Sequence, residues 1–116
     1  MDLESILTVT DHDLPDGATV LAAVGEIDRD SAKVLREAAE RAVGRGHRRL
    51  ILDLAKVTFC DSSGLSLFID LHRRADADGG WLRMAGLPTE LRSMLRVTHL
   101  DQLFAVYDTV EAAAGS

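Results

Sequence analysis

The stretch LILDLAKVTFCDSSGL, residues 50–65, decides how the rest of the chain reads. Leu50, Ile51, Leu52, Leu54, Val57 and Phe59 make a nearly unbroken apolar run, the signature of a strand covered on both faces, and so the best candidate for the centre of a sheet. Asp61, Ser62, Ser63 and Gly64 follow at once, and then Leu65, Leu67, Phe68, Ile69 and Leu71 spread over a wide apolar arc. That change of pattern predicts a helix over about 62–77, packed on the sheet and closed by Gly79 and Gly80.

Working outward from this junction, the same alternation recurs. Upstream, SILTVT (5–10) and ATVLAAVGEID (18–28) read as two strands joined by a loop in which Pro15, Asp16 and Gly17 supply turn chemistry. Ala32, Leu35, Ala39 and Val43 then recur at helical steps, predicting a helix over about 30–44 that Gly44 and Gly46 end. Downstream, WLRMAG (81–86) reads as a third covered strand and PTELRSMLRV (88–97) as a short helix. LFAVY (103–107) reads as an edge strand, and 109–114 as a terminal helical turn before a frayed end. Strands alternating with helices imply right-handed crossovers and a mostly parallel sheet, with the N-terminal pair adding an antiparallel edge. The expectation is one α/β domain over 1–113, with 114–116 as a frayed tail.

Composition narrows the function. With 116 residues, 47% of them hydrophobic and 28% charged, the chain suits one folded domain and argues against wholesale disorder. A net charge of −6 disfavours nucleic acid or an anionic membrane as the main partner. The basic group RGHRR (45–49) sits where cations oppose the negative end of a helix dipole, which accounts for it without a nucleic-acid patch. The N-terminus lacks a basic start and a signal-like apolar core, and no stretch approaches the roughly 20 apolar residues of a membrane span, so a cytoplasmic location is expected.

Enzyme motifs are missing. There is no G-x-x-x-x-G-K-[ST] phosphate loop, and the glycine after Ser63 does not make a G-x-S-x-G elbow. His12, His47, His72 and His99 lack paired ligand spacing, and the lone Cys60 reads as a packing residue, so neither a metal nor a cofactor is expected.

Attention therefore returns to CDSSGL (60–65). Asp or Ser at a helix N-cap accepts a bond from an unpaired backbone N–H, and that accounts for one side chain. Three crowd this helix start, so at least one hydroxyl is surplus to capping. In a parallel sheet, sites gather where strand ends meet helix starts. A phosphate there would add about −1.5 to −2 charges at pH 7, which a helix N-terminus tolerates.

FCDSSGL (59–65) after LILDLAKV, with VGEID (24–28) and LRSMLRVTHLDQLFAVYDTVEAA (91–113), resembles the STAS-domain anti-sigma-factor antagonists of bacteria, in order and over nearly the whole chain. The resemblance implies a mixed four- to five-stranded β-sheet with mostly parallel strands and about four packed α-helices. It implies that Ser62 is phosphorylated by an anti-sigma factor with serine kinase activity and that the unphosphorylated form binds this partner and frees the sigma factor. A PP2C-type phosphatase then resets the switch, and the antagonist is a substrate and not an enzyme. The partner-facing positions carried over are Asp28, Asp61, Ser62, Ser63 and Gly64, with Gly64 keeping the approach open. Two positions depart from the family pattern: Ser66 and His99 stand where glycine is common. A STAS subunit of a larger stress-sensing or lipid-transport assembly, working without phosphorylation, is the alternative; nucleotide binding has only fold-level analogy behind it.

Overall fold

The computed structural model describes residues 6–115. At its centre is β3 (Arg49–Cys60), flanked by β2 (Thr19–Ile27) and β4 (Trp81–Ala85), with β1 (Leu7–Asp13) and β5 (Ala105–Tyr107) at the edges. The β1–β2 pair is antiparallel and the three others are parallel. This is the mixed, mostly parallel sheet expected, with β3 in the middle.

The strand does not behave uniformly along its length. Its first half is covered on both faces: Leu50, Leu52 and Leu54 point into the main core, and Ile51 into a smaller cluster on the other face. Beyond Asp53 the pairing with β2 slips twice. Asp53 to Lys56 spans three steps against two between Ala22 and Val24, and Val57 to Phe59 spans two against one between Gly25 and Glu26. Each slip is a bulge on β3, which sets an extra residue on the bulged strand. The inward period lengthens from two to three, so that Leu54, Val57 and Cys60 all reach the core while Ala55, Lys56, Thr58 and Phe59 face outward. The sequence expectation of a strand covered throughout is corrected here: Phe59 is 50% exposed.

Helices α1 (Ala32–Gly44) and α2 (Ser62–Ala77) lie on one face of the sheet, where Leu35, Ala38, Leu67, Phe68 and Leu71 bury against Leu21, Leu52 and Met84. Two ion pairs tie the helices together, Arg36 to Asp70 at 3.2 Å and Arg74 to Glu40 at 3.5 Å, each joining residues 34 apart. A constant offset means two parallel helices in step. Such exposed pairs contribute about 0–1 kcal/mol each, so they set alignment more than stability. On the other face, Ala113 of the short α4 (Val110–Ala114) covers Ala18, Val20, Ile51 and Ala85.

Several boundaries differ from the sequence reading. The first strand runs on through Asp11, His12 and Asp13, and Ser5 lies outside the described residues. These charged residues suit an exposed edge strand, and Arg45 pairs with Asp11 at 3.0 Å, which occupies part of the basic group after α1. Helix α1 starts at Ala32, two residues late, because the segment before it forms a tight turn of its own. The last strand is confined to Ala105–Tyr107: Phe104 turns inward instead, meeting Phe68 edge-on at 6.4 Å between ring centres. α3 (Thr89–Val97) and a 3-10 turn (Leu100–Gln102) join β4 to β5, and His99 between them holds φ 63°, the left-handed conformation for which glycine is suited. The Ser116 end also lies outside the described residues.

Candidate functional site

The strands β2 and β3 end side by side, Ile27 against Cys60, and the Asp61 N–H donates to the Ile27 carbonyl at 3.1 Å. The loop leaving β2 and the start of α2 are therefore neighbours along one edge of the sheet.

At the head of α2, Asp61 is the N-cap, and its Oδ1 accepts from the Ser63 N–H at 2.8 Å. Its carbonyl accepts from the Gly64 and Leu65 N–H groups at 3.0 and 3.3 Å. One side chain thus does the capping, and Ser63 contributes its backbone and not its hydroxyl. Neither the Ser62 nor the Ser63 hydroxyl has a hydrogen-bond partner among the described residues. They differ in access: Ser62 is exposed, as is Ser66 one turn on, whereas Ser63 is half-buried. Ser62 occupies the first position of the helix, where a negative group is favoured by the helix dipole.

Gly64 is placed otherwise than the sequence reading held. It is buried and faces inward, where a Cβ would stand 2.9 Å from Ile27 Cγ2 and closer still to Cys60 Sγ. The glycine allows the first turn of α2 to press against the ends of β2 and β3; it does not open an approach for a partner.

Asp28 belongs to a compact loop that the sequence reading missed. Its Oδ1 accepts from the Ser31 N–H at 2.8 Å, and its own N–H donates to Ser31 Oγ at 2.8 Å. Ser31 Oγ in turn donates to the Glu26 carbonyl at 2.7 Å. Ser31 is buried, so this reciprocal clamp fixes the loop beside Ser62. The only sequence signal was the D-x-x-S spacing, a capping-box pattern in reverse. The bond from the Ser31 N–H, the largest influence, holds the Asp28 carboxyl below its ordinary 3.8. Asp28 and Asp61 thus border an acidic edge beside an uncommitted hydroxyl. Cys60 beneath it is pushed up to about 12, by burial first and by the Asp61 charge second, which keeps its thiol protonated and unreactive.

Residues 10–107 match the family model described as Mlab, STAS domain. The chain belongs to the STAS-domain family. It is 30% identical over 82 residues to a STAS-domain containing protein of Pseudomonas aeruginosa, spanning 71% of this chain and 80% of that one. The crystal structure of an anti-sigma factor antagonist from Mycobacterium paratuberculosis superposes with a TM-score of 0.85 at 26% identity, covering 99% of this chain and 97% of the other. The fold is also that of the Bacillus cell fate determinant SpoIIAA in its phosphorylated form, with a TM-score of 0.73 at 20% identity over 93% of this chain and 97% of that one. The likeness to STAS-domain antagonists read from the sequence thus holds for the STAS family and its fold. Among the described residues, no helix is long and apolar enough to cross a membrane, and no group of three His, Cys, Asp or Glu side chains could share a metal ion.

Proposed function

We propose that this STAS domain is a cytoplasmic anti-sigma-factor antagonist controlled by phosphorylation of Ser62. The unphosphorylated chain binds an anti-sigma factor that is also a serine kinase and so releases the sigma factor. The kinase transfers a phosphoryl group from ATP to Ser62 Oγ, the hydroxyl losing its proton, and a PP2C-type phosphatase later removes the group by hydrolysis. The chain acts as a substrate, and Asp28, Asp61 and Ser63 surround the acceptor on the partner-facing edge.

The observation that carries this reading is the division of labour at the head of α2: Asp61 takes the cap and leaves an exposed Ser62 hydroxyl with no structural task. The reading is further supported by relatives and structural neighbours that are named as anti-sigma factor antagonists. Its physics is a charge change. A dianion at Ser62 stands beside the Asp28 and Asp61 carboxylates, and in a partly desolvated interface it opposes binding unless it is paired.

The test is incubation with purified anti-sigma serine kinases and ATP, followed by mass spectrometry and a binding titration. Wild type gains one phosphate on Ser62, Ser62→Ala binds but stays unmodified, and Ser62→Asp binds weakly. Unchanged affinity of Ser62→Asp would sink the switch. A second reading rests on the description of the matching family, which names no antagonist: the domain would serve as an unphosphorylated subunit of a larger assembly. Absence of modification by every anti-sigma kinase, together with stable co-purification in an assembly that Ser62→Asp leaves intact, would favour it.

A further inference from the structure

The groove beside the bulged half of β3 is a second feature that folding alone does not explain. The last β3–β4 pair is Asp53 with Ala85, so residues 54–60 have β2 on one side and no strand on the other. The chain leaves β4 at Gly86, whose φ of 72° turns it past Ala55, and continues through Leu87 and Pro88 into α3. Between α3 and β3 a groove of about 380 Å³ remains, with Val57, Phe59 and Cys60 on one wall and Pro88, Leu91 and Met94 on the other. Phe59 is half exposed at its mouth because the bulges turn it out of the core. The groove ends at Cys60, and Ser62 is two residues further along the same chain.

We infer that this groove receives a bulky apolar side chain of the same anti-sigma factor whose kinase centre reaches Ser62. The inference rests on the functional reading above and names where that partner is anchored. Continuity selects this occupant: one molecule covering the Ser62 edge also covers the groove mouth. Thr58, Thr89, Glu90 and Ser93 supply the polar part of the lining, and an exposed aromatic beside a mainly apolar cleft with polar groups around it is the arrangement that concentrates binding energy in protein interfaces. Anchor and acceptor then have separate tasks, the groove holding the partner and Ser62 reporting its chemistry.

Phe59→Ser removes the aromatic wall, and Ser93→Trp, from a half-buried position on α3 lining the groove, fills it. The partner is the kinase that modifies Ser62 in the experiment above. Each variant raises its Kd by at least about tenfold, the effect of losing a desolvated aromatic anchor. KM for Ser62 phosphorylation rises while kcat is unchanged, since the groove does not touch the reacting hydroxyl. Val97→Ser, a control at a 78% exposed position outside the groove, changes neither. The Met94 methyl resonance shifts when kinase is added to wild type, which locates the contact even if a variant folds poorly. Wild-type affinity for both groove variants with a still Met94 signal, while Ser62→Asp loses binding, overturns the anchor and leaves the phosphorylation reading standing. Failure of any anti-sigma kinase to bind wild type overturns both. Concentration-dependent dimerisation of the free chain that Phe59→Ser abolishes would assign the groove to a second copy and also overturn the inference.

Discussion

Gly64→Ala sets two effects of opposite sign against each other at the head of α2. Helix propensity alone favours the change by about 1 kcal/mol, because glycine in a helix is that much worse than alanine. Packing opposes it. The new methyl meets Ile27 Cγ2 at 2.9 Å and collides with Cys60 Sγ, and neither neighbour can step aside: Ile27 is fully buried and Cys60 closes the core at the end of β3. Overpacking of a well-filled site costs about 1–3 kcal/mol. With two fixed neighbours the upper half of that range applies, so the net expectation is a loss of about 1–2 kcal/mol. Urea denaturation followed by far-ultraviolet circular dichroism measures it as a lower midpoint at unchanged slope. Cys60→Ala vacates the closer contact, so the double variant recovers part of the loss, and the cycle of four proteins shows a favourable coupling of about 1 kcal/mol. A Gly64→Ala protein more stable than wild type, or strict additivity with Cys60→Ala, would refute the packing account and leave propensity in charge.

Three further outcomes follow from the same edge. Asp61→Ala removes the cap on the Ser63 N–H and lowers stability by about 1 kcal/mol, seen as a drop of roughly 4 °C in Tm by calorimetry; an unchanged Tm would mean that another group takes the cap. The buried Cys60 thiol, raised to about 12, stays inert to a disulfide reagent at pH 8 in the native protein and reacts promptly in denaturant, and prompt native reaction would contradict its burial. The Asp28 carboxyl is depressed in the folded chain, so its contribution to stability is present above its ordinary 3.8 and is lost as pH falls through the lower folded value. Asp28→Asn should flatten that part of an acid denaturation curve while the Ser31 bond persists, and an unaltered acid limb would count against the clamp.

Element order, and the helix start that carries the candidate site, were legible in the sequence for physical reasons. β3 and α2 carry opposite hydrophobic periods on either side of Asp61, and the crowding of Asp61, Ser62 and Ser63 at one helix start is a local signal that survives folding. Local pattern failed where the backbone departs from regular geometry. A bulge leaves no mark in composition, so Leu54, Val57, Phe59 and Cys60 read as one apolar run although the bulges divide them between core and water. Gly64 read as an opening because nothing in the sequence shows that Cys60 and Ile27 converge on it. Ser31 looked like an ordinary helix residue, since its bonds to Asp28 and Glu26 need the turn to exist first. The departure at His99 carried more information than its residue type suggested: the position where the resemblance implied glycine is one of left-handed backbone, and a histidine holds it here.

The strand order β1-β2-β3-β4-β5 is also the order of the chain. No strand has to insert between two already paired, and each new neighbour is the one just made, which keeps loop-closure distances short and contact order low for a sheet protein. During synthesis the sheet can grow by accretion from its N-terminal hairpin. Asp28, Asp61 and Ser62 all belong to its earlier part, so the edge that bears the Ser62 hydroxyl needs only the chain through α2 and none of β5 or α4. The later elements finish and seal the domain without having to shape that edge.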